Sequence, residues 1–156
     1  MNRGLTRCVV RHGDSCLAVD AVLVGEIVPL AAITRLARCP AAVLGLTDLR
    51  GQPLPVVDLG QLLEFSSPAA TGSPARQLLV LRTEVRLAGL PIDRCEGVLA
   101  ADPADYRQSS RHGEPSWVAG FQAFPSRGLL ATVIDSADLL ARLGRLRFQP
   151  AASNAA

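Results

Sequence analysis

The sequence predicts an all-β fold, mainly β with short helices, arranged as two small barrels of similar build and finished by a C-terminal helix. Three observations carry this. Short apolar runs recur with turn residues about every 8–12 positions, the spacing of barrels and sandwiches rather than βαβ units. A strand–turn–strand–Asp–helix pattern occurs twice. The last apolar segment switches from strand alternation to helical spacing.

The elements follow in chain order. "TRCVVR" (6–11) and "SCLAVD" (15–20) read as strands around the turn "HGDS". "AVLVGEIV" (21–28) reads as a third strand that Pro29 closes. "LAAITRLARCP" (30–40) has apolar residues at helical spacing and stops at Pro40, which predicts a short helix or turn. "AVLGLTDL" and "QPLPVVDL" form a hairpin around Arg50-Gly51. Pro53 and Pro55 face one side and donate no hydrogen bonds, which suits an edge strand. A short helix begins within 58–65, and "SSPAATGSPA" (66–75) reads as a flexible, exposed loop.

Three strands follow, "QLLVLR", "VRLAGLPI" and "EGVLAA", the first two joined at Thr83-Glu84. "DPADYRQSSRHGEPS" reads as a polar connector. "WVAGFQAF" and "LLATVI" make a second hairpin around "PSRG". Residues 135–147 form an amphipathic helix with Leu139, Leu140, Leu143 and Leu146 on one side, expected to close a barrel mouth. The domain spans 5–147, and 148–156 reads as a disordered tail.

The repeat aligns Val43-Leu44-Gly45-Leu46 with Val118-Ala119-Gly120-Phe121, 75 positions on. It aligns Val56-Val57-Asp58 with Val133-Ile134-Asp135, 77 positions on, the second hairpin tip being two residues longer. It also explains the aspartates. Asp58 and Asp135 each stand where an apolar strand meets a helix, so they are expected as N-caps rather than as paired catalytic carboxylates. Gln61, three residues after Asp58, has capping-box spacing. What the copies do not share is the Leu-Arg-Gly tip, and that singles out Arg50 as a candidate functional residue.

Composition narrows the function classes. A chain of 156 residues buries enough surface to fold without disulfide or metal. All sixteen basic residues are arginine, scattered rather than clustered, and the formal net charge is only +2, unlike a nucleic-acid binder. Cys8, Cys16, Cys39 and Cys95 form no Cys-x-x-Cys pair and read as small apolar residues in a reduced, cytoplasmic protein. No apolar run approaches a membrane span, and the N-terminus does not read as a signal peptide. His12 and His112 lie in glycine turns, where histidine is usually solvated, and match no zinc or Cys–His catalytic spacing. No catalytic residue, metal or cofactor is expected. A single-stranded nucleic-acid barrel would need exposed aromatics in a basic groove, and Trp117 is expected in the core instead.

The span "EIVPLAAITRLARCPAAVLGLTDLRGQPLPVVDLGQLL" resembles the CheW family. Glu26, Ile27, Thr34, Arg35, Pro40, Gly45, Leu49, Arg50, Gly51, Pro55, Asp58 and Leu59 match its pattern, and the second half matches more loosely. The resemblance covers roughly residues 5–146. It implies two intertwined five-stranded SH3/OB-like barrels. It also implies a non-enzymatic adaptor between the regulatory domain of a CheA-type histidine kinase and the cytoplasmic tip of chemoreceptors. It places receptor contacts at Val24, Glu26, Arg35, Asp48, Arg50 and Gly51. It places kinase contacts around the first turn, at His12, Gly13, Asp14 and Cys16. Two departures stand out. Asp48 replaces the usual Asn, setting a carboxylate that either orients Arg50 or alters partner choice, and Val28-Pro29-Leu30 is apolar where polar residues are common, which points to a different receptor partner. An OB-like barrel serving nucleic acid or a protein outside chemotaxis is the alternative reading.

Overall fold

A computed structural model describes residues 5–65, 76–84, 86–110 and 112–146. The expected loop at 66–75 and tail at 148–156 lie outside them. Eleven strands are present: β1 (Thr6–His12), β2 (Ser15–Asp20), β3 (Val24–Pro29), β4 (Val43–Leu49), β5 (Gln52–Val57), β6 (Gln77–Arg82), β7 (Leu87–Ile92), β8 (Arg94–Ala100), β9 (Tyr106–Gln108), β10 (Val118–Phe124) and β11 (Leu129–Ile134). Among the described residues two α-helices, α1 (Leu59–Leu62) and α2 (Ser136–Arg145), and short 3-10 turns accompany them.

The strands form two sheets, ordered β8-β1-β2-β11-β10-β9 and β3-β6-β7-β5-β4. The chain starts the first sheet, builds the whole second sheet, then returns to finish the first. That is the expected intertwining. The first sheet holds six strands rather than five, because Tyr106–Gln108, inside the expected polar connector, pairs with β10.

Position by position, the two orders are the same construction. β3-β6-β7-β5-β4 maps onto β8-β1-β2-β11-β10, with one parallel pairing in each, β5 with β7 and β11 with β2. The internal repeat reaches the register. In β4–β5 the bulge falls between Val43 and Gly45, and in β10–β11 between Val118 and Gly120. Each glycine admits a crossing segment. A Cβ on Gly45 would lie 2.1 Å from the Thr34 carbonyl oxygen, and one on Gly120 2.3 Å from that of Arg107.

Residues 30–40 are not helical. Thr34 bridges Leu46 through reciprocal backbone hydrogen bonds of 2.7 and 2.9 Å, and the chain turns at Arg38, whose φ is 59°. Nor is β5 an edge strand, since β7 and β4 flank it. β7 reaches only Val56, so Pro53 and Pro55 lie where no partner on that side needs an N–H.

The largest apolar cluster joins both sheets. Cys8, Val10, Leu17 and Val19 meet Leu79, Leu81, Leu90 and Ile92, with Trp117 and Leu139 between the elements. Trp117 is buried, as expected, with Phe65 against it at 5.4 Å between ring centres. Leu139 and Leu143 are buried while Leu140 and Leu146 are half-buried.

Both aspartate caps form. Asp58 Oδ1 accepts from Gly60 N at 3.0 Å, and Asp135 Oδ1 from Asp138 N at 2.8 Å. The reciprocal half of a capping box does not, because the Asp58 N–H donates to Ala42 O, just as Asp135 N–H donates to Trp117 O.

Candidate functional site

The β4–β5 hairpin turns on two residues, since Leu49 pairs with Gln52. Such turns match strand twist when both central residues have positive φ. Arg50 has φ 49° and Gly51 φ 82°. Glycine accepts this freely, whereas Arg50 holds it against its own Cβ.

The Arg50 side chain reaches back to Glu26. Its Nη1 donates to Oε2 at 2.9 Å and its Nη2 to Oε1, a bidentate pairing. β3 and β4 are the two outer strands of the five-stranded sheet, so this pair spans from edge to edge. Hydrogen bonding from Arg50 holds the Glu26 carboxyl below the usual carboxylate range, with Arg82 adding to the positive field. The same bonding raises the Arg50 guanidinium. Both remain in contact with water, with side-chain exposures of 71% for Arg50 and 31% for Glu26.

Of the six residues assigned to receptor contact, Glu26, Arg50 and Gly51 therefore come together. Val24 precedes Glu26 on the same strand and is half-buried. Asp48 is exposed on β4, and the carboxylate that orients Arg50 is Glu26 rather than Asp48. Arg35 is exposed in the extended segment just after Thr34. Beside the hairpin, two apolar depressions of about 380 and 430 Å³ share Pro55 and Arg86. Pro53, Leu49 and Leu54 line the first; Leu140, Leu143 and Leu146 line the second.

The four residues assigned to kinase contact occupy the β1–β2 hairpin. Gly13, with φ 59°, supplies the turn, and its N–H donates to Asp93 Oδ2 at 2.9 Å. Asp14 is exposed and Cys16 half-buried. Burial raises the Cys16 thiol pKa. His12 is not the solvated turn residue expected from sequence. It is the last residue of β1, only 6% exposed, edge-on to Phe65 at 5.7 Å and 4.0 Å from the Asp58 carboxylate. Strand pairing with Ser15 turns it into the inter-sheet core.

Sequence reading missed the counterpart of Arg50. The second hairpin also carries Arg-Gly at its tip, as Arg127 and a left-handed Gly128. Arg127 Nη2 donates to Glu96 O of β8 at 2.7 Å. β8 is the counterpart of β3, so each half of the molecule returns a hairpin arginine to its first edge strand. The signal was present in "PSRG", hidden by the two extra residues of that turn.

Among the described residues no three metal-ligating side chains cluster. No described helix is long and apolar enough to cross a membrane.

Comparison with known proteins agrees with this geometry. Residues 8–144 match the CheW-like domain family. The chain is 29% identical over 130 residues to a chemotaxis protein CheW of Rhizobium meliloti (strain 1021), covering 83% of this chain and 79% of that protein. It is 35% identical over 95 residues to protein FrzA of Myxococcus xanthus, covering 61% of this chain and 58% of FrzA. The crystal structure of the scaffolding protein TtCheW from Thermoanaerobacter tengcongensis superposes with a TM-score of 0.70 at 19% identity, over 85% of this chain and 89% of that one. With the family matched from β1 to α2, this chain belongs to the CheW-like domain family.

Proposed function

We propose that this chain is a non-enzymatic adaptor that holds a CheA-type histidine kinase, through its regulatory domain, to the cytoplasmic tip of chemoreceptors. The observation that carries this reading is the Arg50–Glu26 pair. Asp58 and Asp135 are accounted for by helix capping, whereas Arg50 pairs with Glu26 on the surface, at the tip of the hairpin that carries the resemblance to the family.

In this reading the pair shapes the receptor surface. Arg50 and Glu26 fix the hairpin over β3, and Val24, Arg35, Asp48 and Gly51 flank it. The kinase surface is the β1–β2 turn, with Asp14 exposed, Gly13 and Cys16 half-buried beside it and buried His12 beneath. The adaptor acts by binding two partners at once, in the cytoplasm beneath the receptors. Trp117 is buried and the Tyr106 hydroxyl is bonded to Ala119 O at 3.0 Å, so neither aromatic offers the open stacking face that a single-stranded nucleic-acid site uses.

Titration calorimetry tests this against two partners from the same genome, the kinase regulatory domain and a receptor tip. The expected result is binding to both, with Arg50→Glu weakening the receptor by about tenfold or more and the kinase by less than about threefold. Failure to bind either partner, or equal loss of both with an unfolded circular dichroism spectrum, overturns it.

A further inference from the structure

We propose that Cys8 and Cys95 are a redox-responsive dithiol, which closes to an intramolecular disulfide stapling β8 to β1. Their sulfurs lie 3.9 Å apart with nothing between them. Cys8 faces Val98 and Cys95 faces Val10 across the β1–β8 ladder, and the bulge between Val9 and Val10 brings the diagonal pair together. Both side chains join the same apolar cluster, Cys8 fully buried and Cys95 at its margin. The structure pairs neither Cys16 nor Cys39 with another thiol among the described residues.

Three features make the pair a site rather than two small apolar residues. β8 is an outer strand whose one ladder partner is β1, with the Gln77 side chain accepting from Cys95 N at 2.9 Å and Arg127 donating to Glu96 O, so Cys95 is reached by local opening of that edge. Cys8 is shielded, and burial together with the neighbouring Cys95 pushes its thiol pKa up to about 12. The two cysteines are 87 positions apart, and the loop between them contains all of β3–β7, the whole second sheet.

The chemistry balances with a small-molecule disulfide, such as glutathione disulfide, as oxidant. The Cys95 thiolate attacks one sulfur, forming a mixed disulfide and expelling one glutathione thiolate. Cys8 then loses its proton to solvent and attacks Cys95 Sγ, forming the Cys8–Cys95 bond and expelling the second glutathione thiolate. Two protein thiols are oxidised and one external disulfide is reduced.

The test uses the reduced full-length chain in glutathione buffers of rising oxidised fraction, quenched in acid. Mass spectrometry is expected to show loss of two hydrogens. Cleavage after arginine should give one linked species joining Cys8–Arg11 to Cys95–Arg107. Ring closure should accelerate about tenfold per pH unit between pH 7 and 9, because the second step needs the Cys8 thiolate. The melting temperature of the oxidised chain should rise by about 10 °C, given the length of the closed loop. Cys95→Ala, at the more exposed position, should abolish all of this, while a Cys16→Ser/Cys39→Ser variant keeps it. A stable glutathione adduct at Cys95 without closure, a linkage through Cys16 or Cys39, or no oxidation by excess glutathione disulfide would overturn the proposal.

Discussion

Arg50 serves two ends that pull against each other. Its backbone is held at φ 49°, where a Cβ is crowded, and its side chain is spent on Glu26 at the surface. Arg50→Gly frees the backbone and loses an exposed pair, and exposed pairs contribute little to stability. The melting temperature of this variant is therefore expected to match or exceed that of the parent, while receptor-tip binding falls by about tenfold or more by calorimetry. A drop in both would make the arginine a folding residue. The depressed Glu26 carboxyl sets the pH window. Its folded pKa lies below its unfolded value, so the pairing is complete above the ordinary carboxylate range and is lost only as pH falls through the lower, folded value. Receptor affinity measured between about pH 5 and 9 should accordingly be flat. Neighbouring Gly45 is the opposite case, required by packing. Gly45→Ala drives a methyl into the Thr34 carbonyl at φ +146°, and Gly120→Ala into that of Arg107. Each should cost roughly 3 kcal/mol, seen as a fall in melting temperature of about 9 °C.

The elements repeat at a finer grain than the sequence shows. Thr47 and Gln122, 75 positions apart, are both buried polar residues. Thr47 Oγ1 donates to Ala32 O at 3.0 Å, and Gln122 Nε2 to Asp102 O at 3.0 Å. In each half a segment crosses the bulged hairpin, touches its glycine and is held by that polar side chain, with a 3-10 turn at Pro103–Asp105 in the second. This is why 30–40 is not a helix: its apolar spacing is matched by a tertiary partner, and reciprocal hydrogen bonds to Leu46 outweigh a weak local propensity. The same partnership turns Tyr106–Gln108 into a strand that polar composition concealed. Helix α2 was legible because Leu139, Leu143 and their neighbours keep helical period and Asp135 supplies its cap. The arginines that tie it down were not legible. Arg86 Nη2 donates to the carbonyls of Leu143 and Leu146 at 3.0 and 2.9 Å, closing the helix C-terminus, and Arg142 Nη1 reaches Leu62 O at 3.1 Å. Asp135→Ala should lower stability by about 1–2 kcal/mol in urea unfolding. Asp58→Ala, capping a four-residue helix, should cost less within the same 0.5–2 kcal/mol range.

At the level of the whole molecule, the two sheets share the largest of three buried clusters, and each keeps a smaller one of its own. Cys8, Val10, Leu17 and Val19 from the first sheet and Leu79, Leu81, Leu90 and Ile92 from the second bury the same surface, with α1, α2 and Trp117 filling between them. The first sheet is made from both ends of the chain and cannot form without bringing them together. Calorimetry should therefore give one transition with equal calorimetric and van't Hoff enthalpies, and two separated transitions would mean the halves fold alone.

The sequence by itself determined the strand-rich class, the two hairpins, both aspartate caps and the arginine at the tip of the first hairpin. Each of these is local, set by side-chain alternation, turn chemistry or a helix end. Only the tertiary structure decided that Glu26 is the partner of Arg50, that His12 is interior, that β5 lies inside its sheet and that Arg127 answers Arg50. The physical reason is common to all four. Each depends on which distant strand arrives alongside, and that is fixed by burying the shared face of two sheets rather than by any pattern along the chain.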